Sequence, residues 1–349
     1  MGPMKILLLG ATGFVGGSVL HELLDLRDEQ NAGFQITVAV RRQDQAEILS
    51  KRGLQTILIA GLDDDAALED SARDHDIVVN AATGQHSGAP KALIRGLGKR
   101  REQNGQDTHF IHLSGTTNIA VPTITPSPYK LQCFSDEDDN IYEYEKRRMM
   151  QEPYGQRVAD VVVIEAGEKF DVKPYIIMPP TVYGTGTGLF KRQSHQIPTV
   201  IRSALKSGYA EYIGTGQAKL GHVHVTDLAR LFGLLAAKIV TGEAVSSGKQ
   251  GYYFANTGSY KWIDAATLIG EAGFDSGLLK SPIPRSISLE EGAQKFADGD
   301  VAFAEACFAS NSISVPQRAF KLGWKPLHKE EDFKASIKST LKEINDEGF

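Results

Sequence analysis

The stretch LLLGATGFVGG, residues 7–17, carries three glycines spaced three residues apart between an apolar run and an amphipathic segment. In a strand, glycine loop and helix of this spacing, the first glycine makes a tight turn and the second lets the backbone approach a pyrophosphate. The third permits close packing of helix on strand, and the helix N-terminus offers unpaired N–H groups to the anion. The spacing therefore predicts a dinucleotide-binding loop, with contacts at Gly10, Thr12, Gly13, Phe14, Val15 and Gly16. The alternative is a glycine turn that serves packing alone.

Short apolar strands alternate with segments of helical length through the first half of the chain. The predicted strands, apolar on both faces as buried parallel strands are, cover 5–9, 35–40, 56–59, 77–80, 110–113 and 175–178. The predicted helices cover 13–26, 43–51, 66–72, 90–104 and about 158–169. We therefore predict a doubly wound α/β fold, a parallel Rossmann sheet with a smaller mixed C-terminal substrate-binding region. The expected domains are residues 1–183, to which later segments return, and residues 184–349.

The composition argues against several classes of protein. Hydrophobic residues make up 41% and charged residues 23% of the chain, and no apolar run approaches the roughly 18 residues that span a bilayer. The net charge of −5 argues against general affinity for nucleic-acid phosphates. Two distant cysteines, Cys133 and Cys307, indicate neither a disulfide framework nor a metal site. The strand-like start leaves no room for a signal peptide, so we expect a cytoplasmic protein.

The residues after the second predicted strand bear on the type of nucleotide. An acid there would bind the ribose diol of NAD, but the chain has Arg41 and Arg42. A guanidinium suits a 2′-phosphate, which favours NADP, and the alternative is a pair of solvated arginines. Because ligands lie outside the carboxyl ends of parallel strands, Leu62, Ala81 and Ala82 are further predicted cofactor contacts.

Six motifs follow one another along the chain. They are GATGFVG at 10–16, NAA at 80–82, HLSG at 112–115, PTVYG at 180–184, HVHVTD at 222–227 and LGWKP at 322–326. In this order they resemble the extended short-chain dehydrogenase/reductases of the NAD-dependent epimerase/dehydratase type, over nearly the whole chain. A more distant similarity is to nitrogen-metabolite-repressor-like proteins, which keep the nucleotide fold. The resemblance implies an NAD(P)-binding fold with a cofactor contact at Pro180, and it leaves a homodimer open.

The resemblance also implies three catalytic residue types. A Ser or Thr after the fifth strand polarises a carbonyl, a Tyr exchanges its proton, and a Lys four residues later binds the nicotinamide ribose and lowers the pKa of the Tyr. Ser114 meets the first requirement, and Tyr142 and Lys146 have the required spacing. The pair, however, lies in a run of charged residues that is typical of a solvated segment rather than of a buried helix face.

A second position for the pair follows from the next predicted helix. Counting back along it from Glu165 places the Tyr and Lys positions at Arg157 and Val161, and neither residue could do this work. An atypical site without the pair therefore stays open.

The predicted function is reduction of a small carbonyl or imine with NADPH. Ser114 polarises the oxygen, Tyr142 or a bound water gives the proton, and Thr116, Tyr183 and Phe190 are the expected substrate contacts. One alternative is a non-catalytic NADP(H)-sensing regulatory protein. Another is a sugar-nucleotide epimerase or dehydratase, against which the arginine pair argues because such enzymes hold NAD.

Overall fold

The computed structural model of the protein describes residues 2–29 and 33–348. Its strands are β1 Met4–Leu9, β2 Phe34–Val40, β3 Gln55–Leu58, β4 Ile77–Asn80, β5 His109–Leu113, β6 Val121–Pro122, β7 Cys133–Ser135, β8 Lys173–Met178, β9 Thr181–Tyr183, β10 Glu211–Ile213, β11 Lys219–His224, β12 Tyr252–Phe254, β13 Gly258–Lys261, β14 Arg285–Ile287, β15 Ser310–Asn311 and β16 Ile313–Val315.

The helices are α1 Phe14–Glu29, α2 Gln43–Ser50, α3 Asp65–Arg73, α4 Gly88–Asn104, α5 Ile141–Gln151, α6 Gly155–Phe170, α7 Gln196–Ser207, α8 Val225–Val240, α9 Trp262–Asp275, α10 Leu289–Phe296, α11 Val301–Phe308, α12 Gln317–Leu322 and α13 Glu330–Asp346. Two short 3-10 helices cover Thr116–Ile119 and Gly248–Gln250.

The central sheet has seven strands in the order β12-β8-β5-β4-β1-β2-β3, and every neighbouring pair is parallel. Six of these strands were predicted from their buried β-branched runs. The seventh, β12, comes from far along the chain and pairs with the edge of β8. The predicted doubly wound α/β class is confirmed.

The strand order reverses between β1 and β4. The chain leaves β1 toward β2 and β3 on one side, and from β4 onward it continues on the other side. Loops that leave the carboxyl ends of two such strands diverge, and the crevice between them is where α/β sheets bind ligands. This crevice lies between Gly10, after β1, and Ala81, after β4.

Apolar layers cover both faces of the sheet. Helices α1 and α8 pack together in the layer on one face, and α3, α4 and α6 pack against one another in the layer on the other. A third buried cluster lies in the C-terminal region, built from α7, α9, α10, α11 and α13. Helix α8 and Ala319 of α12 belong to the first of these layers although they come after residue 184, so the C-terminal half contributes to the sheet core as well as to its own cluster.

The irregular segment from Thr116 to Asn140 is tied to the C-terminal region by short strands. Within it β6 pairs with β15 in antiparallel fashion, and β7 pairs with β16 in parallel. These pairings place the residues that follow β5 beneath residues of the C-terminal half, and this creates a cleft between the two. No helix of the described ranges is both long and apolar enough to cross a membrane.

The C-terminal segment is fastened to α8 by one buried carboxylate. Asp227 accepts hydrogen bonds from the backbone N–H groups of Leu327 and His328, each at 2.9 Å. The indole N–H of Trp324 donates to the carbonyl oxygen of the same aspartate at 2.8 Å.

Asp227→Ala should therefore lower the free energy of unfolding by about 3 kcal/mol, because it leaves two backbone donors without an acceptor. Asp264 has the equivalent position in α9 but is exposed, so Asp264→Ala should cost less than about 1 kcal/mol. Urea unfolding followed by circular dichroism compares them. Equal losses would contradict the anchoring role.

Candidate active site

The glycine loop is shaped by close backbone contacts. Gly10 has a φ of +88°, and a Cβ there would lie 2.4 Å from the carbonyl carbon of Ala81. A Cβ on Gly16 would lie 2.1 Å from the Gly10 oxygen, and the Gly13 N–H donates to that oxygen at 2.8 Å. The loop thus keeps the strand and helix close together and leaves the N-terminus of α1 facing the crevice.

The segment after β9 turns back over this loop. The Lys191 N–H donates to the Thr12 carbonyl at 3.4 Å, and a Cβ on Gly188 would lie 2.8 Å from Cα of Gly17. This path places Phe190 against the core beside α1, in a separate pocket of about 190 Å³ that Leu20 also lines. The prediction of Phe190 as a substrate contact is corrected, because the backbone contacts hold its side chain away from Ser114.

The predicted cofactor contacts lie at the carboxyl edge of the sheet. Arg41 and Arg42 directly follow β2 and are exposed. Arg42 pairs with Asp44, with 2.9 Å from Nε to Oδ1, whereas Arg41 has no hydrogen bond or ion pair among the described residues. Leu62 packs partly buried after β3, and Ala81 follows β4.

A cleft of about 320 Å³, here called the Ser114 cleft, opens between the sheet and the C-terminal region. Phe14 and Val15 of the glycine loop line it, together with Ser114, Thr116 and Pro180. Its other lining residues include Gln85, Leu113, Thr117, Tyr154, Gln156, Val182, His195, Gln196, Leu220, Phe303 and Cys307. None of the described residues that line it is Lys, Arg, Asp or Glu, and burial lowers the pKa of His195. The cleft is therefore uncharged near neutral pH.

Ser114 is held from behind by a buried polar cluster. Its Oγ lies 2.5 Å from Oδ2 of Asp160, which is fully buried on α6. The Asn118 amide donates to Ser114 Oγ at 3.2 Å and to Asp160 Oδ2 at 2.7 Å. The serine hydroxyl thus lies between the cleft and the carboxyl group of Asp160.

Tyr142 and Lys146 lie on α5, a helix packed on α6, and not in a solvated charge run as the composition suggested. The side chain of Tyr142 is 1% exposed, and its hydroxyl donates to Glu165 at 3.3 Å while accepting from Lys146 at 3.1 Å. The hydrogen bond that Lys146 donates to Glu165 raises the pKa of the lysine.

The pair does not meet Ser114. Glu165 comes five residues after Asp160, which puts the two carboxyls about 140° apart around α6. Asp160 faces Ser114, so the Tyr142 hydroxyl faces a different side of the helix, and neither Tyr142 nor Lys146 is a lining residue of the Ser114 cleft. The spacing of four residues between Tyr142 and Lys146 matches the family pattern, but α5 does not direct either side chain toward Ser114.

A different tyrosine does line the cleft. Tyr154, directly before α6, accepts a hydrogen bond from Gln85 Nε2 at 3.2 Å and donates to Thr117 at 3.4 Å. Four residues later stands Val158, where the family pattern has Lys. Burial raises the pKa of the Tyr154 hydroxyl. Counting from the first turn of α6 rather than from Glu165 would have found this residue.

The positions obtained by counting from Glu165 are structural. The Arg157 guanidinium is 2% exposed and donates to the Asn118 carbonyl at 2.9 Å, while Val161 is 1% exposed in the core.

Tyr183 faces the C-terminal core rather than the cleft. Its ring packs edge-on against His222, His224 and Phe333, and it is 1% exposed. Successive side chains of a strand point to opposite faces, and Val182, one residue earlier, is the residue that lines the cleft. The prediction of Tyr183 as a substrate contact is corrected accordingly.

Two family models match parts of the chain. Residues 127–248 match the NAD dependent epimerase/dehydratase family, and residues 6–93 match the saccharopine dehydrogenase NADP binding domain. The resemblance indicated by the six motifs is confirmed. Over 93% of both chains the protein is 27% identical to Oxidase ucsJ of Acremonium sp.

Solved structures share the fold. The UDP-glucuronic acid 4-epimerase of Bacillus cereus, in complex with UDP-glucuronic acid and NAD, is 15% identical with a TM-score of 0.63 over 98% of this chain and 100% of that one. DesIV, a dTDP-glucose 4,6-dehydratase of Streptomyces venezuelae with NAD bound, is 15% identical with a TM-score of 0.66 over 98% and 97%. At these identities the likeness establishes the fold of the chain.

Gly10→Ala should abolish dinucleotide binding, because the added methyl group would overlap the backbone of Ala81. Gly53→Ala is the matched control, since Gly53 has a φ of +79° but no atom within 4 Å of the added Cβ. The control should lose only about 1–2 kcal/mol of stability and keep its affinity for the nucleotide. Fluorescence titration with NADPH, on proteins whose fold is checked by circular dichroism, measures the difference. Unchanged affinity in Gly10→Ala would refute the assignment of the loop.

Proposed function

We propose that this chain of the extended short-chain dehydrogenase/reductase type reduces small carbonyl or imine compounds with NADPH. The observation that carries the proposal is the position of Ser114, whose hydroxyl lines an uncharged cleft shared with the glycine loop. Phe14 and Val15 of that loop line the same cleft, so a nucleotide on the loop and a substrate at Ser114 would be neighbours.

The residues present fit a dinucleotide. The absent side chains of Gly10 and Gly16 allow a backbone approach that any Cβ would block, and the N-terminus of α1 faces the site. The loop would hold the pyrophosphate, Arg41 and Arg42 the 2′-phosphate, and Leu62, Ala81, Ala82 and Pro180 the remaining length of the nucleotide. A bound NADPH would supply the hydride, and the protein would supply orientation and the proton.

Ser114 would hold the substrate oxygen. A hydroxyl aimed at an oxygen that gains negative charge stabilises the transition state, and removal of such a donor typically lowers the rate 10²–10³-fold. The lining of apolar side chains, amides and hydroxyls suits an uncharged and partly apolar substrate, with Thr116 beside Ser114 as a contact.

The described residues that line the Ser114 cleft include no Lys or Arg, which bears on the alternative function of a sugar-nucleotide epimerase or dehydratase. A sugar nucleotide carries a diphosphate, whose burial needs positive charge or many N–H donors. The described lining offers neither Lys nor Arg, so an epimerase or dehydratase of sugar nucleotides is disfavoured.

One observation favours a second candidate, an NADP(H)-sensing protein without turnover. Val158 stands where the family pattern has Lys, and no described cation contacts the Tyr154 hydroxyl. This candidate requires NADPH binding without oxidation.

The test is NADPH oxidation with a panel of uncharged aldehydes, α-diketones and cyclic imines. We expect steady turnover with at least one class, and a 10²–10³-fold loss in Ser114→Ala. Ser203→Ala, which alters a buried serine on α7, should keep the wild-type rate. Tyr142→Phe should keep it as well, because that hydroxyl contacts Glu165. NADPH binding without any oxidation would refute the reductase and support the sensor.

Arg41→Ala should weaken NADPH binding about 10- to 100-fold, because one charge-assisted hydrogen bond contributes about 1.5–3 kcal/mol. Arg42→Ala should have a smaller effect, since Asp44 already engages its guanidinium. NADH lacks the 2′-phosphate and should bind both variants as it binds the wild type. Arg52→Ala, an exposed arginine beyond the far end of α2, is the control in the same titrations. An equal loss for NADPH and NADH would contradict the 2′-phosphate role.

A further inference from the structure

Two carboxyl groups are buried side by side behind Ser114. Glu145 on α5 and Asp160 on α6 are each fully buried, and each carboxyl acts electrostatically on the other. One oxygen of each, Oε1 of Glu145 and Oδ1 of Asp160, has no donor among the described residues. Two ionised carboxylates that interact in a buried site repel each other, so one of the two groups is expected to carry a proton.

The charged groups around Glu145 and Asp160 can compensate one negative charge on the two carboxyls but not two. The charged and titratable groups beside the pair are His112 of β5, Arg157 of α6 and Tyr252 of β12, and Arg148 is buried about one turn further along α5. Arg148 is paired with Glu152 at 3.0 Å. Burial lowers the pKa of His112 to about 3, which makes it neutral.

Arg157 supplies the remaining positive charge. Its guanidinium donates to the backbone carbonyls of Asn118 and Glu152 and has no carboxylate ligand among the described residues. Its charge faces Glu145 and favours the ionised form of that carboxyl.

The proton belongs on Asp160. Glu145 accepts from the Tyr252 hydroxyl at 3.0 Å, which stabilises its carboxylate. Burial and the neighbouring Glu145 charge raise the pKa of Asp160 well above its ordinary value, and burial raises the pKa of Glu145 to about 7. A carboxylate disfavours the ionisation of a second carboxyl buried beside it, so the pair keeps one proton at rest.

We propose that Asp160, kept protonated by the Glu145 carboxylate, passes its proton through the Ser114 hydroxyl to the oxygen of the substrate. The proposal rests on the reductase function above. Ser114 is the single described residue that both lines the cleft and touches Asp160 through its side chain, at 2.5 Å. Asp160 and Glu145 are positioning residues, since they act through Ser114.

In the reacting state the proton lies on Asp160 Oδ2, which donates to Ser114 Oγ, so the serine hydrogen turns toward the substrate oxygen. A bound NADPH would supply the hydride to the carbonyl carbon, and the π pair of the C=O bond would then move to the oxygen and take the serine proton. The O–H bond of Asp160 breaks and that of Ser114 re-forms. The pair becomes doubly ionised in this step only because the proton goes to an alkoxide-like oxygen, which is a much stronger base than either carboxylate. Water that enters after product release returns one proton by the same hydroxyl.

Proton transfer from Asp160 through Ser114 takes the place of the tyrosine that acts as the acid in the family pattern. A tyrosine with a pKa near 10 must drop by about 3 units to work near neutrality, which needs roughly 4 kcal/mol from a nearby cation. Tyr154 faces the cleft with Val158 in place of that cation, and burial raises its pKa further. The Asp160 carboxyl needs no cation, because burial and the Glu145 charge raise its pKa above the ordinary value and so keep the proton on it.

The first test is the infrared C=O band of a protonated carboxylic acid, measured on the NADP⁺-loaded protein at about pH 8. We expect the band in the wild type and its loss in Asp160→Asn. Asp136→Asn is the matched control, since Asp136 is also buried but accepts from the backbone N–H groups of Phe254 and Arg318. This control should keep the band. A wild type without the band overturns the proposal whatever its activity and whether or not Asp160→Asn folds.

The second test is the rate of NADPH oxidation against pH, with the most active compound of the carbonyl panel. The acid must be protonated to act, so the rate should be constant at low pH and fall as pH rises through the pKa of Asp160. Asp160→Asn should lower kcat about 10²–10⁴-fold while leaving NADPH affinity unchanged. Glu145→Gln removes the like charge, so the falling limb should move to lower pH.

The results of these tests distinguish failure of the proton relay from failure of the reductase function on which it rests. A band in the wild type together with full kcat in Asp160→Asn overturns the relay and leaves the reductase intact. A Tyr154→Phe variant that loses as much kcat as Asp160→Asn, with an unmoved pH profile in Glu145→Gln, also overturns it. A band without any NADPH oxidation refutes the reductase and with it the delivery step.

Discussion

The backbone contact between Gly10 and Ala81 is the constraint on which the rest of the site depends. A Cβ at Gly10 would lie 2.4 Å from the Ala81 carbonyl group, so only glycine lets the loops after β1 and β4 approach this closely. The strand order reverses at this point, and the N-terminus of α1 faces the crevice. The Ser114 cleft begins at the same loop, since Phe14 and Val15 form one of its walls.

Next to that loop, α5 and α6 determine which polar side chains lie behind the Ser114 cleft. The family pattern places a cation four residues after a tyrosine, and here the corresponding positions hold Tyr154 and Val158. The same helix carries Asp160 behind Ser114. Under the proposed relay, Asp160 beside Glu145 would supply the proton that the family pattern draws from a tyrosine and a lysine.

Local sequence patterns anticipated most of the sheet and its glycine loop. Runs such as residues 77–79 are apolar on both faces, as buried parallel strands are. The charge content of α5 is a poor guide to its exposure, because part of the charge lies on a buried face of the helix. Ile141, Glu145 and Arg148 lie on one face of that helix and are all buried, and the charges are tolerated there because Tyr252, Asp160 and Glu152 supply partners.

The sequence by itself determined the fold class, the glycine loop and the position of Ser114 at the end of β5, because strand pattern and glycine spacing act over a few neighbouring residues. Only the tertiary structure decided which tyrosine lines the cleft. Tyr142, Tyr154 and Tyr183 all follow plausible spacings, but the side of a helix or strand that meets Ser114 depends on packing between distant segments. Phe190 shows the same limit, since its direction is set by contacts with Thr12 and Gly17, far away in the chain.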